Sequence, residues 1–241
     1  MKKMRLDKIL ANSGYGSRKE VKSIIKSGRA IISGKVTTDP SLIVDLDTEI
    51  LTIDGNKLDY KEFYYLMMNK PGGVISATWD RDTKTVIDIL PEFYQSFELF
   101  PVGRLDKDTE GLLLLTNDGQ LAHKLLSPKK HVPKIYYAHI EGYVGPDDVR
   151  IFEKGIKLED DFTTLPAKLN IIETGEQSRI FVTIYEGKFH QVKRMFEAVD
   201  KNVIYLKRVS MGTLQLDEGI SLGEARELTL DELSTLMEFY N

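Results

Sequence analysis

Residues 112–115 are four consecutive leucines, entered through Gly111 and left through Thr116-Asn117-Asp118-Gly119. An apolar run with no polar residue to face water predicts a short strand buried on both faces. The polar turn ahead of it, Gly103-Arg104-Leu105-Asp106-Lys107-Asp108-Thr109-Glu110, sets the carboxylate of Asp106 where the chain emerges from the core. A buried strand holds such a loop rigidly, which suits chemistry. Most aspartates in glycine-bounded turns nevertheless bond only their own backbone. Position alone therefore does not make Asp106 catalytic.

A chain of 241 residues with 41% hydrophobic and 29% charged content can form one large domain or two smaller ones. No apolar stretch approaches the roughly twenty residues of a membrane span, and no apolar segment of a secretory signal follows the basic start. With no cysteine, disulfides, thiolate metal sites and cysteine nucleophiles are excluded. A cytoplasmic protein fits best.

Charge is unevenly spread. Residues 1–35 hold ten Lys or Arg against Asp7 and Glu20, a local +8 in a chain of net −4, so the remainder carries −12. A basic module on an acidic body steers towards phosphates. Within it, residues 5–12 predict a short helix. Ser17 predicts an N-cap for residues 18–27, with Glu20 completing a capping box and Gly28 just past the end. Lys19, Lys22, Lys26 and Arg29 recur at three- and four-residue steps and share one face. Such a face is commonly just solvated; here few carboxylates offset it, which favours phosphate binding. Short strands are expected near 30–32, 35–36 and 50–53.

A polar connector at residues 59–62 suggests a boundary between domains 1–60 and 61–241. In the body, strands are expected at 63–68, 99–101, 111–116, 135–141, 179–185 and 203–209. Helices are expected at 119–126 behind an Asp118 cap, at 147–154 behind Pro146, at 189–199, and after a Thr229/Glu232 capping box. Strands mixed with a few helices argue an α+β fold on a mixed or antiparallel sheet.

Two resemblances follow from particular residues. Arg5-Leu6-Asp7-Lys8-Ile9-Leu10-Ala11, Gly16-Ser17-Arg18, Ile25-x-x-Gly28-Arg29-Ala30 and Gly34-Lys35-Val36 resemble an S4 RNA-binding domain over residues 4 to about 50. That resemblance implies RNA contacts for Arg5, Arg18, Lys19, Lys22, Lys26 and Arg29. The string Gly-Arg-Leu-Asp-x-x-Thr-x-Gly-Leu-Leu-Leu-Leu-Thr-Asn-Asp-Gly at 103–119 resembles the central motif of the RsuA-like pseudouridine synthases, which modify ribosomal RNA. It implies that Asp106 is the essential catalytic residue.

Pseudouridine formation breaks a uridine's N-glycosidic bond, turns the uracil and rejoins C5 to C1′. It changes no redox state, so no cofactor is expected. The base must leave the stack, a carboxylate must act near the sugar as nucleophile or base, a cation must hold that carboxylate ionised, and an aromatic ring should stack on the base. Lys134-Ile135-Tyr136 resembles the family's Lys-x-Tyr motif and implies stacking by Tyr136; without it, a tyrosine starting a strand would read as edge packing. Glu186-Gly187-Lys188-Phe189-His190-Gln191-Val192-Lys193-Arg194-Met195 brings a strand through a glycine into a cationic helix start. Its resemblance implies that Lys193 pairs with Asp106, while His190, Gln191 and Arg194 lie near the RNA backbone. Arg104 is a candidate RNA contact, and Leu105 and Leu206 are candidate apolar walls. Lys70-Pro71-Gly72-Gly73 resembles an early family motif and implies a supporting backbone turn.

Competing chemistries are poorly served. The histidines at 123, 131, 139 and 190 include no metal-binding pair on one helix, Asp106 and Asp108 are not spaced as opposed hydrolytic carboxylates, and no phosphate-binding loop occurs. The expected partner is ribosomal RNA, free or within an assembling small subunit, acted on by a monomer. His-Gln-Val-Lys-Arg-Met resembles the branch acting on 16S rRNA more than that acting on 23S rRNA. The alternatives are a 23S enzyme and a non-catalytic RNA-binding or assembly protein.

Overall fold

The computed structural model describes residues 3–240; Lys2, counted above in the basic segment, lies outside them. The chain forms two compact units. One runs to Tyr64 and takes in Leu90–Leu99; the other comprises Tyr65–Ile89 and Phe100 onward.

The first unit begins with β1 (Lys3–Arg5), α1 (Leu6–Asn12) and α2 (Arg18–Lys26). It continues through β2 (Ala30–Ile32), β3 (Lys35–Thr37), β4 (Ile43–Asp45), β5 (Leu51–Ile53) and β6 (Asn56–Lys57). The sequence indicates α1, α2, β2, β3 and β5. It does not indicate β1 and β4, which pair antiparallel as a separate ribbon, nor the two-residue β6 at the edge of the β3-β2-β5-β6 sheet. The α2 capping box is present: the Glu20 amide donates to Ser17 Oγ, and the Ser17 amide donates to Glu20 Oε2 at 2.8 Å. Leu6, Ile9, Leu10, Val21 and Ile25 turn inward onto Ala30, Val44, Leu51 and Ile53. At ~1.5–3 kcal/mol per fully buried large aliphatic chain, that contact holds the short helices, which are too brief to persist alone.

The opposite face of α2 leaves Lys19, Lys22 and Lys26 exposed, and none forms an ion pair among the described residues. Arg29 departs from the expectation. Asp54, from the turn after β5, takes its guanidinium at 2.8 Å, and Arg5 is likewise held by Asp7 at 2.8 Å. Both acids are too far or too close along the chain to be read as neutralising a helical face. Tyr64 stacks on Phe97 at 4.0 Å between ring centroids, beside α3 (Glu92–Gln95).

The second unit is built on β7 (Tyr65–Lys70), β8 (Phe100–Pro101), β9 (Glu110–Thr116), β10 (Lys134–Glu141), β11 (Lys168–Glu173) and β12 (Gln177–Ile184). β13 (Asn202–Met211), β14 (Leu214–Gln215) and β15 (Ala225–Glu227) complete a nine-stranded sheet. The order is β11-β12-β10-β13-β9-β7-β15, with β8 on β9 and β14 on β13. Every pairing is antiparallel except β9 with β13. Its helices are α4 (Gly119–Leu126), α5 (Pro146–Phe152), α6 (Gln191–Glu197) and α7 (Leu230–Tyr240). The α+β class and mixed sheet agree with the sequence reading.

The leucine run is β9, and Leu112 to Leu115 are each fully buried. Asp118 caps α4 by accepting from the amides of Gln120 and Leu121. The parallel contact between β9 and β13 spans two residue pairs, Glu110–Lys207 and Gly111–Arg208. Gly111 is required there twice over. Its φ is +100°, and a Cβ would lie 2.2 Å from the Arg208 carbonyl oxygen, closer than any side chain tolerates.

Candidate active site

The loop from β8 to β9 carries Asp106, and it is pinned from below. Lys70, at the end of β7, is fully buried. Its Nζ donates to the carbonyls of Pro71 (3.0 Å), Asp106 (3.1 Å), Lys107 (3.3 Å) and Thr109 (2.8 Å). The Gly73 amide donates to the Lys107 carbonyl at 2.7 Å, and Ser76 Oγ both donates to and accepts from the backbone of Leu105. The segment 70–76 is thus more than the backbone turn expected. An ammonium satisfies carbonyls that a tight loop would leave unpaired. Burial pushes that ammonium down to about 8, with the Asp108, Asp106 and Glu110 carboxylates opposing the shift. A lysine closing an apolar strand carries no signal in sequence of where its amine will reach.

The Asp106 carboxylate lies between two side chains from the start of α6, the Lys193 ammonium and the His190 imidazole. Lys193 Nζ is 3.5 Å from Oδ2, and His190 Nε2 is 3.6 Å from Oδ1. Lys193 is closer still to Asp108, donating to its two oxygens at 2.6 and 2.8 Å. The sequence pairs Lys193 with Asp106 alone and offers Asp108 only as a hydrolytic partner; the ammonium bridges both. The Lys193 hydrogen bond holds the Asp108 carboxyl below the usual range.

A cavity of about 60 Å³ opens beside the carboxylate, lined by Leu105, Asp106, Tyr136, His190 and Leu206 among others. Leu105, Tyr136 and Leu206 are 6–7% exposed, so their apolar surfaces form a preset slot. Alternation along β10 and β13 puts Tyr136 and Leu206 on the same face of the sheet, Tyr136 pairing with Arg208 across the register. A second cavity of about 240 Å³ shares Arg104, Tyr136, Gly187 and Lys188 with the first.

Entry to α6 differs from expectation. The helix begins at Gln191, and His190 sits in the left-handed region (φ 48°). Its ring stacks on the exposed Phe189 with centroids 3.8 Å apart. A non-glycine residue held there is strained, a feature found where structure over-determines a site. Gln191 is corrected from an RNA contact to a brace: it is 4% exposed, accepts from the Lys188 amide and donates to Glu186, both at 2.9 Å. The turn at Gly187 leaves a backbone donor that needs this acceptor. Arg194 pairs with Asp160 at 2.6 Å, and Arg104 stands exposed at the rim. Arg208, 2% exposed under Tyr136, donates from Nε to the Leu112 carbonyl and is absent from the sequence candidates.

A preset apolar slot with a cation-flanked carboxylate can receive a planar base and act on its sugar. Known proteins point the same way. Residues 64–198 match the RNA pseudouridylate synthase family and residues 4–50 the S4 domain. An uncharacterised RNA pseudouridine synthase of Bacillus subtilis (strain 168) is 55% identical over 98% of this chain and 99% of its own. Ribosomal large subunit pseudouridine synthase B of the same organism is 40% identical over 96% and 95%. Ribosomal small subunit pseudouridine synthase A of Salmonella typhimurium is 39% identical over 97% and 100%. A crystal structure of a pseudouridylate synthase shares the fold with a TM-score of 0.68 at 33% identity, covering 97% of this chain and 99% of that one. The chain belongs to the RNA pseudouridylate synthase family, and is an isomerase with an S4 domain in its N-terminal part.

Proposed function

We propose that this enzyme converts a specific uridine of 16S ribosomal RNA to pseudouridine, with Asp106 acting at the sugar and no cofactor. The reading is carried by one juxtaposition: Asp106, Tyr136 and Leu206 line a single slot whose carboxylate has Lys193 at 3.5 Å. Lys193 sets a fixed positive charge beside the reacting carboxylate, Tyr136 stacks on the displaced base, and Leu105 and Leu206 form the apolar walls. Arg104, His190 and Arg194 face the RNA backbone. Residues 1–60 act as the RNA-holding part, through Arg18, Lys19, Lys22 and Lys26 above all, and residues 61–241 as the catalytic part. The enzyme works as a cytoplasmic monomer; no helix among the described residues is long and apolar enough to cross a membrane.

A 23S target is the second reading, supported by the 40% identity to a large-subunit synthase. Mapping pseudouridine in both ribosomal RNAs from cells with and without the gene decides between them. Loss of a single 16S site is the expected result; loss confined to 23S rRNA replaces the first reading by the second.

A further inference from the structure

The second cavity, of about 240 Å³, is lined by Arg104, Lys134, Lys188 and Arg208, and Glu186 is the one carboxylate on its wall. Glu186 is already engaged, accepting from the Leu165 amide at 2.8 Å and from Gln191 at 2.9 Å. Two of the cations are inside the protein: Lys134 is 9% exposed and Arg208 2%. Lys134 Nζ has the Val132 carbonyl at 2.9 Å, and one terminal nitrogen of Arg208 has no hydrogen-bond partner among the described residues. Burial, and secondarily the Arg208 charge, push the Lys134 ammonium down to about 8, with the Glu186 carboxylate opposing the shift. Two buried cations facing one carboxylate that is already engaged are costly. A cavity that keeps them and supplies no free carboxylate is built to receive an anion.

We infer that this cavity is a phosphodiester subsite, holding a backbone phosphate next to the target uridine through Lys134 and Arg208, with Arg104 and Lys188 at its mouth. The inference rests on the uridine reading of the adjoining slot, with which it shares Arg104, Tyr136, Gly187 and Lys188. Arg208, its Nε already given to the Leu112 carbonyl, lends its fixed positive charge to the cavity wall, and Lys134 a second point charge. The rigid Tyr136 ring between the two cavities makes base and phosphate binding parts of one recognition event.

The test is calorimetric binding of uridine, uridine 3′-monophosphate, uridine 5′-monophosphate and inorganic phosphate to the full chain, in wild type, Lys134→Met and Lys188→Ala. Lys188 is exposed, so its removal leaves the core intact even if Lys134→Met folds poorly. One monophosphate should bind about tenfold more tightly than uridine, the scale of one charge-assisted hydrogen bond. That advantage should fall to about twofold in Lys134→Met, with Lys188→Ala in between. Binding of a ribosomal RNA transcript should lose about 0.7 from its logarithmic salt slope in Lys134→Met. A phosphate advantage that is missing in wild type, or that survives both substitutions, overturns the subsite. Inorganic phosphate binding as tightly as either monophosphate overturns it as well, in favour of a free-anion site. Failure of the wild type to convert any uridine in ribosomal RNA counts against the slot itself and is a separate result.

Discussion

Lys193 donates to Asp108 at 2.6 Å while standing 3.5 Å from Asp106. The shorter contact is to the more exposed carboxylate, 72% against 23%. An exposed partner contributes little to stability, so, on the proposed role of Asp106, Asp108 is a resting place for the Lys193 ammonium. Asp108→Ala should leave thermal stability unchanged and turnover within a few-fold of wild type. Lys193→Met should lower single-turnover pseudouridine formation roughly a hundredfold with little change in RNA affinity. If Asp108→Ala proves as damaging as Lys193→Met, the division of roles is wrong.

Asp106→Asn keeps the loop geometry, since Lys70 holds that loop through main-chain carbonyls and not through the Asp106 side chain. The variant should bind a ribosomal RNA transcript as wild type does and form no measurable pseudouridine. Filter binding and tritium release from uridine-labelled transcript together check this; residual turnover near the wild-type rate rules out Asp106 as the reacting group.

Lys19, Lys22 and Lys26 project from one exposed face of α2. Replacing all three by Gln should weaken RNA binding and reduce the salt slope by about two, roughly 0.7 for each phosphate no longer neutralised. Arg29→Gln should do less, because Asp54 already holds that guanidinium. An unaltered slope removes α2 from the interface.

The pH dependence of stability tests the buried lysine in β10. Lys134 titrates at about 8 in the folded chain against 10.5 unperturbed. Between these values the unfolded chain binds more protons, so stability from this group rises with pH across the window and is lowest below it. Lys134→Met lacks that dependence. Wild type should therefore gain on the variant between pH 8 and 10.5 in denaturant titrations. A stability difference that does not move with pH places the ammonium in solvent.

Legibility followed locality. α4 with its Asp118 cap and α2 with its capping box depend on residues within three or four positions of one another, and both are evident in sequence. β9 is evident because four buried leucines leave no other reading. β11 and β15 are not: both are edge strands, β11 mostly exposed and β15 only three half-buried residues long, and β15 pairs across about 160 residues, Ala225 with Met68. At the site, Asp106, Tyr136 and Lys193 come from motif resemblance. What cannot be read is how neighbours are shared. The contact of Lys193 with Asp108 joins positions 85 apart, and the reach of the Lys70 amine beneath the loop depends on how that loop closes.

Gly111 has a consequence beyond its own backbone. β9, which follows the Asp106 loop, and β13, which pairs with the Tyr136 strand, are stitched at two residue pairs only, with a main chain laid almost on a main chain. Any side chain at this position would push β9 away from β13, and with it the loop ahead of β9 that carries Asp106 away from Leu206 on β13. The spacing between carboxylate and apolar wall thus hangs on a residue that touches neither.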